Sequence, residues 1–145
     1  MARLRILARI ASDRSGAALV EFALVAPLII AAIFGVLQVG MAMQSYNAIR
    51  NVTADTARYA LVEYQKGQEP SNATIRTEAL SIADGSPYLL KERNLNIEIE
   101  NAATQRIQGV KEMVITVSYT IPTILPLPEY AAPTISHSQA IFVLA

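Results

Sequence analysis

The hydrophobic positions follow two different rhythms along the chain. From Ala17 to Met43 the sequence reads AALVEFALVAPLIIAAIFGVLQVGMAM, with Glu21 and Gln38 as the polar side chains in that run. A bilayer core takes about 20 helical residues at about 1.5 Å each, so the run is long enough to cross one. A secretory signal has an apolar region of about 7–15 residues, much shorter than this. A buried core helix of this length would need a larger protein around it. The pattern therefore predicts a membrane-spanning helix over 17–44. After it the rhythm becomes amphipathic. Tyr46, Ile49, Thr53, Ala57, Ala60, Leu61 and Tyr64 fall on one side of a helix, and Asn47, Asn51, Asp55, Arg58 and Gln65 on the other. This predicts that the helix continues over 45–66, packing either on the chain's own domain or on a partner helix, until Lys66-Gly67-Gln68-Glu69-Pro70 ends it.

The remainder, 67–145, reads as one small α+β domain. Ser71 or Asn72 can cap a short helix whose apolar side is Ile75, Ala79, Ile82 and Ala83, closed by Gly85 and Pro87. Leu95, Ile97 and Ile99 then alternate with polar residues, as do Met113, Ile115, Val117, Tyr119 and Ile121 with Val114, Thr116, Ser118 and Thr120. Alternation of period two predicts half-buried strands, joined through Gln108-Gly109 as a hairpin with a long loop. Pro122, Pro126 and Pro128 break regular structure, and a last strand is expected over Thr134–Leu144. The predicted fold class is α+β: a long N-terminal transmembrane helix extending outside the membrane, a short helix and a small antiparallel sheet. A piece from about Glu69 to Ala145 is expected to fold by itself.

Charge fixes an orientation. Twelve basic and twelve acidic residues cancel, so no global field points to nucleic acid. Locally, Arg3, Arg5, Arg9 and Arg14 stand against Asp13 before the apolar run, which places the N-terminus in the cytoplasm and everything after about residue 45 outside. Two residues within the run carry further information. Pro27 removes a backbone donor and crowds the carbonyl of Ala23, predicting a kink or local unwinding, although prolines are also tolerated in membrane helices. A carboxylate deep in the bilayer costs about 2.5–3.5 kcal/mol. Glu21 therefore either snorkels to the cytoplasmic headgroups or meets a positive partner.

Around the start of the run stand Asp13-Arg14-Ser15-Gly16-Ala17-Ala18-Leu19-Val20-Glu21-Phe22. A basic leader ending in Gly, with Glu five residues later inside an apolar helix, resembles the processing site of type IV prepilins. The segment DRSGAALVEFALVAPLII, with Gln44–Arg50 and Ala57-Arg58-Tyr59-Ala60 after it, is similar to the TadE-like family of pseudopilins over about residues 12–62. The resemblance implies a basic leader over 1–16, cleavage by a prepilin peptidase between Gly16 and Ala17, and subunit pairing through Glu21 and Phe22. In that scheme the new amine of Ala17 pairs with Glu21 of a neighbouring subunit and sets axial register. Major pilins of this system usually carry Tyr after the Glu and are little more than leader plus helix. Phe22 and the added domain therefore imply a minor pseudopilin. The implied partners are the prepilin peptidase, other pilins and pseudopilins, the inner-membrane assembly platform and membrane lipid, with no nucleic acid.

No catalytic constellation is visible. Cysteine is absent, which removes thiolate metal sites, disulfides and thiol redox chemistry. His137 is the one histidine, and its neighbours Ser136 and Ser138 alternate to the opposite face of a strand, so they form no triad with it. No nucleophile elbow or phosphate-binding glycine loop occurs. Asn51-Val52-Thr53 and Asn72-Ala73-Thr74 match the glycosylation spacing and are read as chance in a protein of bacterial type. The expectation is a non-enzyme with no cofactor and no metal: a minor pseudopilin of a tight-adherence (Tad/Flp) pilus, at the inner membrane. One rival is an uncleaved bitopic anchor presenting an assembly or adhesion domain. Another is a membrane-anchored binding module or enzyme subunit.

Overall fold

The computed structural model describes residues 14–124 and 132–144. Most of the basic leader, and Pro126 and Pro128 of the proline-rich segment, lie outside the described residues. The chain divides into two compact units, one through Leu37 and the other Gln38–Ala145. Helix α1 (Arg14–Gln65) supplies the first unit and the start of the second.

In the first unit α1 is unbroken through Pro27, so the expected local unwinding does not occur. Proline at this site costs the one bond its nitrogen would donate to the Ala23 carbonyl, and the rest of the ladder holds. The side chains point outward: Leu19, Phe22, Leu24 and Leu28 are each about 70 % exposed. Such a density of exposed leucine, isoleucine and valine is untenable in water and suits a hydrocarbon solvent. By length and composition this helix can cross a membrane.

The second unit is α+β. The end of α1 is set by Gly67, whose φ of +75° lets the chain turn back in a left-handed step. Gln68 N–H donates to Glu63 O at 3.0 Å and Gly67 N–H to Tyr64 O at 3.0 Å, the paired bonds of a Schellman stop. Helix α2 (Asn72–Asp84) begins where Ser71 Oγ accepts from Thr74 N at 3.1 Å, so Ser71 rather than Asn72 is the cap. A short 3-10 turn (Glu92–Asn94) leads into strands β1 (Leu95–Asn101), β2 (Val110–Thr120) and β3 (Thr134–Leu144). The sheet is antiparallel in the order β1-β2-β3, with Ile97 opposite Val117 and Val117 opposite His137.

One core joins all these elements. Met113, Ile115, Val117, Tyr119 and Ile121 are buried with Ile97, Ile141 and Val143 from the flanking strands and Ile75, Ala79 and Ala83 from α2. From α1 come Ile49, Val52, Ala57 and Ala60, with Thr53 and Thr56 also fully buried. Those two hydroxyls donate back to the carbonyls of Ile49 and Val52 at 2.7 Å, so no buried donor is left unmet. The buried arc of α1 is thus wider than the expected stripe, taking in Val52 and Thr56. Tyr46, expected on the buried side, is 41 % exposed. Asp55, expected on the solvent side, is half-buried and accepts from Tyr88 Oη at 2.7 Å. Because α1 supplies part of the core, the piece from Glu69 onward does not hold a complete one.

Candidate functional site

Gly16, Ala17, Glu21 and Phe22 all lie in α1 and all are exposed. Ala17 and Glu21 stand four residues apart, one turn along the same helical face. The Gly16–Ala17 peptide is in the first turn of the helix, so it is not extended as a protease cleft would require. A Cβ placed on Gly16 would meet nothing within 4 Å. Nothing around it in the described residues therefore demands glycine, and any such demand comes from a molecule that handles the chain there. Among the described residues the ion pairs are Lys66–Glu63 and Arg106–Glu112, both remote in sequence from Glu21.

Gln38 begins the second unit and explains itself structurally. Its Nε2 donates to Pro122 O at 3.2 Å, and its Oε1 accepts from Ile124 N at 3.1 Å. The side-chain amide thus satisfies backbone groups of the proline-rich segment just after β2. Ala17 to Leu37 supplies about 20 residues, or about 30 Å of helix, enough for a bilayer core without Gln38. The sequence marks Gln38 only as a polar residue in an apolar run; its partner, 84 residues away, has no local signature.

Elsewhere the polar groups form structural pairs rather than a reactive cluster. Arg106 forks onto Glu112 of β2 through Nε at 2.9 and 3.0 Å and through a further Nη2 contact to Oε1. Its guanidinium also lies 5.2 Å from the ring centre of Phe142. The Arg106 hydrogen bonds hold the Glu112 carboxyl below its ordinary value, and burial opposes them. The hydrogen bond to Asp55, then burial, raise the Tyr88 hydroxyl above 10.0. His137 is half-buried on β3, edge-on to Tyr46 with ring centres 6.3 Å apart. Among the described residues no group of three or more His, Cys, Asp or Glu is placed to hold a metal ion.

The fold and the exposed apolar helix define a class: a small α+β protein with a helix suited to membrane anchoring. Residues 16–58 match the family model described as TadE-like protein, so this segment of the chain is similar to that family. The matched segment opens on Gly16 and runs through Glu21 and Gln38 into the part of α1 that enters the core. No curated protein and no solved structure matches the chain.

Proposed function

We propose that this protein is a minor pseudopilin of a Tad (Flp) pilus, acting without catalysis in pilus assembly and so in adhesion or biofilm formation. The TadE-like match over residues 16–58, beginning on the glycine of the leader junction, carries this reading. The leader faces the cytoplasm and the α+β domain lies outside the inner membrane, as the arginines before the span require. A prepilin peptidase cuts between Gly16 and Ala17 after the first helical turn opens. The open surroundings of Gly16 support this, because the requirement for glycine then lies in the peptidase cleft. The amine freed on Ala17 then pairs with Glu21 of an adjacent pilin or pseudopilin, and Phe22 packs beside that pair. In hydrocarbon an unpaired charge at either place is costly, so the pair fixes how far one helix slides along the next. The assembly platform of the inner membrane receives the processed chain.

Intact mass of the protein from its native host tests this reading. The expected mature chain begins at Ala17 and lacks Met1–Gly16, and replacing Gly16 with a bulky residue leaves full-length precursor. Wild-type protein that keeps its leader in that host would instead make it an uncleaved anchor.

A further inference from the structure

The two edges of the sheet are treated differently. At β1 the carbonyls of Ile97 and Ile99 are met by α2: Arg76 Nε donates to Ile97 O at 3.0 Å and Asn72 Nδ2 to Ile99 O at 3.1 Å. In an antiparallel ladder both backbone groups of a residue point the same way, and successive residues alternate. Leu95, Ile97, Ile99 and Asn101 are therefore the residues of β1 that turn outward, and side chains from α2 occupy the carbonyls of Ile97 and Ile99. Glu98 and Glu100 add charge along the same strand, a further block to edge pairing.

At β3 none of these devices appears among the described residues. Its sequence, TISHSQAIFVL, is 11 residues long and holds no Asp, Glu, Lys, Arg or Pro. Among the described residues no side chain bonds its backbone. Carrying the alternation across the register, Ile135, His137, Gln139 and Ile141 bond to β2, while Ser136, Ser138, Ala140 and Phe142 turn their N–H and C=O groups outward. A long, neutral edge of this kind is a template for another strand.

We propose that β3 pairs antiparallel with β3 of a second copy of this chain, joining two three-stranded sheets across a two-fold axis. The partly occupied β1 edge disfavours the head-to-tail alternative. A β3-to-β1 contact would repeat head to tail into an open fibre, but Arg76 and Asn72 occupy the β1 side of it. The absence of charge on β3 fits a strand that must face itself, since any charge near the axis would meet its own copy. This interface lies wholly in the second unit and goes beyond the pilus reading; it holds whether or not the leader is cleaved.

The chain has no cysteine, so single cysteines report cleanly. Cysteines are placed one at a time at Ser136, Ser138, Ala140 and Phe142, with Glu98→Cys as control, in the full-length protein in native membranes under mild oxidation. Self-crosslinking across a two-fold antiparallel pair is confined to the axis. Moving two residues away separates the two sulfurs' backbones by about 14 Å along the strands, beyond the about 7 Å a disulfide spans. The expected result is a band of doubled mass, peaking at one or two adjacent outward positions of β3 and missing at position 98. Adding a lysine at the outward position next to the strongest reporter should lose that band, and co-expression with a copy carrying glutamate there and the same reporter should restore it. No doubled band at any β3 position, equal bands at all of them, or an adduct with a different protein would each overturn pairing with a second copy.

Discussion

Removing α1 from the small domain should unfold it. Ile49, Val52, Ala57 and Ala60 are each no more than 3 % exposed and sit in the same core as α2 and the sheet. Full burial of an isoleucine or valine stabilises by about 1.5–3 kcal/mol, and each buried methyl group of alanine by about 0.8 kcal/mol. The α1 face is therefore worth about 5–8 kcal/mol, and the residues it covers lose a comparable amount when it leaves. A domain of this size has a total stability of about 5–15 kcal/mol. A fragment starting at Glu69 should therefore be molten or disordered. One spanning Gln38–Ala145 should give mixed helix and sheet and unfold cooperatively. Circular dichroism and urea melts of the two fragments, each as monodisperse material, decide the matter. A cooperative transition in the Glu69 fragment with the midpoint of the longer one would refute the reasoning, because the sheet would then hold its core without α1.

Other outcomes follow from the charge distribution. A reporter active only outside the cytoplasm should work when fused after Lys66 and fail when fused after Arg14; the reverse pattern would end the pilus reading too. Glu112→Gln should lower the melting temperature at neutral pH, with the deficit shrinking on acidification. The folded-state value of Glu112 lies below the ordinary 4.5, so its stabilisation is in force above about pH 4.5 and disappears as pH falls through the lowered value. A deficit that stays constant from about pH 7 to about pH 3 would show that Arg106 contributes nothing through that carboxylate.

The elements were legible because their signals are local. Gly67 and Ser71 bracket the turn between the helices by backbone conformation and a single side-chain bond, and the period-two runs of β1 and β2 point their apolar residues inward as written. The features without a local signal depend on contacts distant in sequence. Asp55 looks like a solvent residue until Tyr88 reaches it from the loop after α2. Thr56 and Glu112 carry no local signal of burial; Thr56 is buried with its hydroxyl bonded to Val52 O of its own helix, and Glu112 is buried with its carboxylate paired to Arg106. Gln38 stood out as polar, but its partners lie past β2. The residues proposed for processing and assembly are a different case: Gly16, Ala17 and Glu21 are exposed, so the proposal for them rests on the motif and on the match over residues 16–58.

The central claim is that Glu21 acts between subunits, and Glu21→Ala tests it most directly. If Glu21 merely snorkels, the change relieves an insertion cost of up to about 2.5–3.5 kcal/mol, and assembly survives. If it holds the Ala17 amine of a neighbour, the change strands that amine in apolar surroundings at a cost of about 3–5 kcal/mol, a loss of more than about a hundredfold in assembly. The measurement is pilus yield together with precursor and mature protein levels in a strain carrying the variant. The account predicts normal insertion, near-normal processing after Gly16 and few or no pili, with Glu21→Gln intermediate; wild-type pilus yield from Glu21→Ala would contradict it.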